Sequence, residues 1–197
     1  MKPILFNTEM ARAILASRKT VTRRLVKFKE GQNPQWSGYV PDGPVLYGSH
    51  NIPAVKAPYK PGDVLYVRET WKCNEAGYPP SHCTIEYKAG GVEKFGEVLA
   101  LPTAKGEWKP SIHMPKEAAR IFLRVKQVRV ERLNAMQEED AIAEGFPDLG
   151  VDADSPLERF ATLWDKTIDK QQRDTYGWWA NPWVWVIEFE QISKEDT

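Results

Sequence analysis

The chain has 197 residues, enough for one sizeable core, and its 27 Lys and Arg balance 27 Asp and Glu, so no global charge excess draws it to nucleic acid or a membrane surface. No apolar run approaches the length of a transmembrane helix, and residues 1–6 give way at once to polar ones, unlike a signal peptide. A single cytoplasmic domain over 1–197 is predicted, in which any basic site is local.

Residues 1–6 read as a first strand. The segment from Thr8 to Arg18 has helical spacing of Met10, Ala13, Ile14 and Ser17, with Thr8 as the expected N-cap and Glu9 in the first turn. From Thr20 to about Lys27, β-branched residues alternate with charge, the pattern of a strand. Residues 28–60 are rich in Pro and Gly, with Trp36, Tyr39, Tyr47 and Tyr59 spaced through them and no sustained period. They read as a long loop, either packed on the surface or folded over a ligand.

Lys60-Pro61-Gly62-Asp63 is a turn signal, and the clearest strand in the chain, Val64 to Trp71, follows it. Alternation puts Val67, Glu69 and Trp71 on one face and Tyr66, Arg68 and Thr70 on the other. A strand from Cys83 to Ala89 ends at Gly90-Gly91, and a second long loop insertion covers about 90–115. Lys116 to Arg120 suits a helical turn before a long strand, Ile121 to Leu133, carrying Val125, Val128 and Val130. A short helix, acidic in its first turn, spans Gln137 to Gly145. Ser155 caps another, whose apolar face holds Leu157, Phe160, Leu163, Trp164 and Ile168. Trp183 to Glu190 is the closing strand. Many strands around a few short helices predict an α+β fold with a strongly bent or closed sheet.

Arg18-Lys19-Thr20-Val21-Thr22-Arg23-Arg24 concentrates four basic side chains and two hydroxyls without an acid, at a helix-to-strand junction. A threonine hydroxyl is a poor nucleophile at neutral pH and needs a base in reach. Lys19 can serve Thr22 if burial and neighbouring cations make it give up its proton, and the plainer alternative is a solvated basic strand edge. Strict alternation would send residues 19 and 22 to opposite faces, so the pair requires Lys19 to belong to the turn before the strand. Glu144, at the end of its helix, is a candidate general acid, because burial and the helix C-terminus would favour its protonated form; Glu69 is the alternative acid. Trp178, Trp179, Trp183 and Trp185 are half of the eight tryptophans and form either core or a platform for a base. His113 is placed to donate to a substrate carbonyl, or else is structural. Cys73, His82, Cys83 and His113 make no paired Cys-x-x-Cys metal site, and no metal or other cofactor is expected. The cysteines read as two thiols in a reducing compartment.

The run Ile14 to Arg24, the Pro61-Gly62-Asp63-Val64-Leu65 turn and strand, and the closing Val186-Ile187-Glu188-Phe189 resemble ASCH domains, small PUA-like β-barrels associated with RNA. Val67-Arg68-Glu69-Thr70-Trp71, Pro110 to Pro115 and Asn181 to Val186 resemble the longer, phage-associated branch of that superfamily. One bacterial ASCH group removes the acetyl group from N4-acetylcytidine with a lysine base, a threonine nucleophile and a glutamate acid. Its Leu-Ala-Gly-Arg-Lys-Thr-Ile-Thr pattern falls on Leu15 to Thr22, with Ser17 in place of glycine. The resemblance therefore implies Lys19 as base, Thr22 as nucleophile and Glu144 as acid, in a single PUA-like barrel with short flanking helices and long loop insertions. It implies an amidohydrolase acting on N4-acylcytidine nucleosides. The substrate-binding set expected beside that triad is Arg23, Arg24, Glu69, Trp71, His113 and Trp178. A non-catalytic RNA-binding module is the competing expectation.

Overall fold

A computed structural model describes residues 1–28, 36–40, 43–47, 53–76, 83–95, 106–150 and 153–197. Strand β1 (Lys2–Leu5) leads into helix α1 (Thr8–Leu15), whose N-cap is Asn7 and not Thr8: the Asn7 side chain accepts from the Met10 N–H at 2.8 Å. Asn and Thr are both good caps, and the preceding residue takes the role because its extended backbone aims the carbonyl at the orphan amide. The helix ends at Ser17, which sits at φ +54°, and Ser17 N–H donates to Ile14 O. That left-handed position is where a helix most often carries glycine. Ser17→Gly should therefore raise stability by up to about 1 kcal/mol in denaturant titration, since the left-handed cost borne by a side chain is relieved.

Strand β2 (Val21–Leu25) is followed by β3 (Trp36–Val40), β4 (Gly43–Tyr47) and β5 (Pro53–Lys56), an antiparallel three-stranded sheet in the order β3-β4-β5. This corrects the expectation of an irregular loop over 28–60, part of which lies outside the described residues. Register explains why periodicity hides it: Gly38 pairs with Val45, Tyr39 with Pro44 and Val40 with Gly43, so Gly and Pro occupy positions where alternation would be read.

Strands β6 (Val64–Arg68) and β7 (Trp71–Ala76) replace the expected single strand, which breaks at Glu69-Thr70 as the chain leaves one sheet for another. β7 pairs with β8 (Cys83–Tyr87), and β8 with β9 (Val92–Phe95), a strand inside the expected 90–115 loop. Cys73 is disulfide-bonded, correcting the expectation of a thiol there; His82 lies outside the described residues. After 3₁₀ turns at Ser111–His113 and Lys116–Ala118 come β10 (Phe122–Arg132), α2 (Glu138–Ala143), α3 (Pro156–Thr167), α4 (Arg173–Tyr176) and β11 (Trp183–Ile192). Ser155 caps α3 as expected, its side chain accepting from the Glu158 N–H, and the Glu158 carboxylate in turn accepts from the Ser155 N–H at 2.9 Å.

The architecture is mixed α+β, with a five-stranded sheet in the order β1-β6-β10-β11-β2 and short helices. β1 and β2 are its end strands in that order. Contacts divide the chain into two compact units, Met1–Ser17 with Val64–Leu123 and Gln191–Thr197, and Arg18–Asp63 with Arg124–Glu190. The first has a core of Trp71, Cys73, Ile85, Tyr87, Met114, Ala118, Ala119 and Phe122. The second buries Val21, Leu133, Met136, Ala141, Phe160, Trp164, Val184 and Val186, where α2 and α3 cover β2 and β11. Among the described residues no helix is long and apolar enough to cross a membrane.

Candidate active site

Three consecutive residues ahead of β2 close off the C-terminal end of α2. Helix ends leave carbonyls without partners and carry partial negative charge, so donors and cations are favoured there. Thr20 N–H donates to Ala143 O at 2.9 Å, Lys19 Nζ to Glu144 O at 2.9 Å, and Arg18 Nη1 to Gly145 O at 3.3 Å. Lys19 lies in this connecting segment and not in the strand, so the alternation that would separate it from Thr22 does not apply to it.

The Lys19 ammonium has no exposed side-chain surface and forms an ion pair with Glu144 Oε2. It also donates to Val21 O at 2.8 Å, the carbonyl of the peptide that leads into Thr22. Lys19, Thr22 and Glu144 are 2%, 2% and 3% exposed, so none is the solvated edge that basic composition alone suggests. Burial pulls the Lys19 ammonium below its ordinary value; Glu144 partly offsets this, and Arg24 and Arg23 add to the lowering. A lysine so placed is closer to acting as a base than a surface one.

Arg23 was expected to face a substrate. It is instead turned inward, its side chain wholly buried, with Nη2 donating to Glu131 Oε1 at 2.8 Å and lying 3.1 Å from Asp140 Oδ1. Its Nη1 is 3.6 Å from Glu144 Oε1. Arg129 completes the ring, 3.1 Å from Glu131 and 3.4 Å from Asp140. Burial works to raise the Asp140 carboxyl, but the Gln137 N–H and the guanidiniums of Arg23 and Arg129 outweigh it and hold it below the usual carboxylate range. Arg24, on the other face of β2 with Thr22, is lowered by burial and interacts electrostatically with Glu144 and Tyr59. Tyr59 is raised by its own burial. Glu131, Asp140 and Arg129 are not among the site residues the sequence suggests, and Tyr59 is visible in it only as one aromatic of the 28–60 segment. The visible signal for two of them was Arg129 and Glu131 two apart on one strand, opposite charges sharing a face.

The other expected site residues have clear local roles. Trp178 packs edge-on against Phe160 at 6.1 Å between centroids, so it is joined to the core of the second unit, while Trp179 is 88% exposed. In the first unit, Glu69 is 1% exposed and accepts two bonds from Arg120, at 2.9 and 3.0 Å, whose guanidinium lies over the Tyr87 ring. Trp71 is core, and His113 is exposed in its 3₁₀ turn. Of the two candidate acids, Glu144 is thus the one that meets Lys19, and Glu69 is committed to Arg120. Among the described residues no group of three or more His, Cys, Asp or Glu is arranged to hold a metal ion.

No family model and no curated protein matches the chain. Among solved structures it is similar to protein EF3133 from Enterococcus faecalis V583, whose crystal structure carries the family description DUF984. The two are 12% identical over 98% of this chain and 82% of that one, with a TM-score of 0.45.

Proposed function

We propose that the chain is an amidohydrolase that removes the acyl group from N4-acylcytidine nucleosides, built on an ASCH-type, PUA-like barrel, with Lys19 as base, Thr22 as nucleophile and Glu144 as acid. The observation that carries this reading is the buried Lys19–Glu144 pair, with the lysine nitrogen on the carbonyl that precedes Thr22.

The pair holds the right number of protons for the task. Moving one proton along the hydrogen bond between them converts the ion pair into a neutral amine and a carboxylic acid, and burial pulls the Lys19 ammonium toward its neutral form. Lys19 then takes the Thr22 hydroxyl proton as Oγ1 bonds to the acyl carbon. Glu144 gives its proton to N4 as the C–N bond breaks, so cytidine leaves and the ion pair is restored beside an acyl-threonine. In the second half the proton again moves to Glu144. Lys19 takes a proton from water as its oxygen attacks the ester carbon, and Glu144 returns one to Thr22. A carboxylic acid departs and every proton is accounted for. Thr22 is 2% exposed, so an acyl carbon reaches it only after the groups covering it move aside.

The direct test is to incubate the purified, chelator-treated protein with N4-acetylcytidine and follow the ultraviolet spectrum as it changes to that of cytidine. Hydrolysis should be seen and should vary little between low and moderate salt. The overall charge is balanced, and a steep loss with salt is the mark of many phosphate contacts. Faster turnover on acetylated RNA with steep salt dependence would make RNA the substrate. Binding of RNA without hydrolysis of either would favour the RNA-binding module.

A further inference from the structure

Glu144 Oε2 is taken by Lys19, yet among the described residues Glu144 Oε1 is buried with no hydrogen-bond partner, as are Arg23 Nη1 and Nε. Buried polar atoms are ordinarily paired. Here an unfilled acceptor and an unfilled donor face each other across 3.6 Å, a gap that a small side-chain movement closes. Arg23 itself has little freedom, because Glu131 from β10 and Asp140 from α2 grip its Nη2. Among the described residues the charged groups around the pair are Arg23 and Arg24 from β2, Arg129 and Glu131 from β10, and Asp140 from α2. Arg23 and Arg129 balance Glu131 and Asp140, so the ring adds no net charge. It acts through where it holds one guanidinium.

We infer that Arg23 is a positioning residue: clamped by Glu131 and Asp140, it offers Nη1 to Glu144 Oε1 when Glu144 is ionised, and so governs which member of the Lys19–Glu144 pair carries the shared proton. Its effect on turnover rests on the roles proposed above for Lys19 and Glu144; its effect on their titration does not.

A cation 3.6 Å from a carboxylate favours its ionised form, so taking that cation away should make it easier for the pair to accept an extra proton. The two groups titrate as a unit, and the lower of their two steps is the informative one. That step can be read without substrate, from the Glu144 carboxyl carbon in protein labelled at glutamate, and again from the acid limb of the turnover profile. Arg23→Gln should raise the lower step by about one pH unit or more, and Arg23→Lys should bring most of it back. Asp140→Asn removes one jaw of the clamp, and a loosened Arg23 should raise the same step, whereas the lost negative charge acting alone would lower it. Upward shifts in both variants are therefore the signature of the clamp. Unchanged titration in folded Arg23→Gln, or a downward shift in Asp140→Asn, would overturn the inference. If Arg23→Gln fails to fold, Asp140→Asn decides alone: a higher step supports the clamp, and an unchanged or lower one refutes it. Titration shifts as expected in a protein that leaves N4-acetylcytidine intact would remove the proposed reaction and leave the role of Arg23 standing.

Discussion

Lys19→Met should lose about 3–5 kcal/mol of stability, because it leaves the Glu144 carboxylate buried without its partner, and should lower turnover at least about a hundredfold. Glu144→Leu should be damaging for the mirror-image reason, stranding an ammonium with no exposed surface. The informative protein is the double variant. Replacing both members of a buried ion pair with apolar groups removes two desolvation costs together with their attraction, and such exchanges are often neutral or stabilising by about 1–4 kcal/mol. The gain here should be smaller, since the ammonium also serves the carbonyls of Val21 and Glu144, and each buried carbonyl left open costs about 1–3 kcal/mol. Lys19→Met with Glu144→Leu should therefore recover at least half of the stability that either single change loses, while remaining inactive. Denaturant titration of the four proteins closes the cycle. Additive losses in the double variant would mean that the two groups do not stabilise one another and that the ion pair is not the organising contact of this site.

The sequence makes Lys19, Thr22 and Glu144 visible for different reasons. Lys19 and Thr22 stand out because a basic run without acids sits where helical spacing ends and alternation begins, and the structure puts that junction between α1 and β2. Glu144 is legible only as the last residue before a helix-stopping glycine. What no local pattern discloses is that residues 18–20 close the end of α2, because that contact joins positions more than a hundred residues apart. The inward turn of Arg23 is hidden for the same reason. In sequence the residue is one more cation beside Arg24, and only the return of β10 and α2 supplies Glu131 and Asp140 to turn it inward. Glu69 shows the reverse case: its charge on a half-apolar strand suggested chemistry, but Arg120, fifty-one residues on, satisfies both its oxygens.

Thr22→Ala should abolish turnover while the protein stays folded, because the change removes one hydroxyl and one methyl from a residue whose backbone pairing with Ile187 is untouched. The reaction proposed above puts a covalent bond on that hydroxyl, so no neighbouring group can substitute for it. Thr22→Ser should retain part of the activity. The nucleophilic oxygen survives, but without the β-methyl its χ1 angle is less restricted and the oxygen spends less time on the line of attack. The order threonine, serine, alanine is thus a statement about both chemistry and rotamer. Rapid quenching of the wild-type protein during turnover, followed by proteolysis and mass measurement, should find one acyl group on the peptide that contains Thr22, and none in Thr22→Ala. Two outcomes would separate the parts of this argument. If Thr22→Ala hydrolyses N4-acetylcytidine at close to the normal rate, water is the nucleophile and Lys19 activates it directly. If it is inactive but the wild-type peptide never carries an acyl group under quench, Thr22 orients the substrate or the attacking water, and the buried Lys19–Glu144 pair exchanges its proton once in each turnover instead of twice.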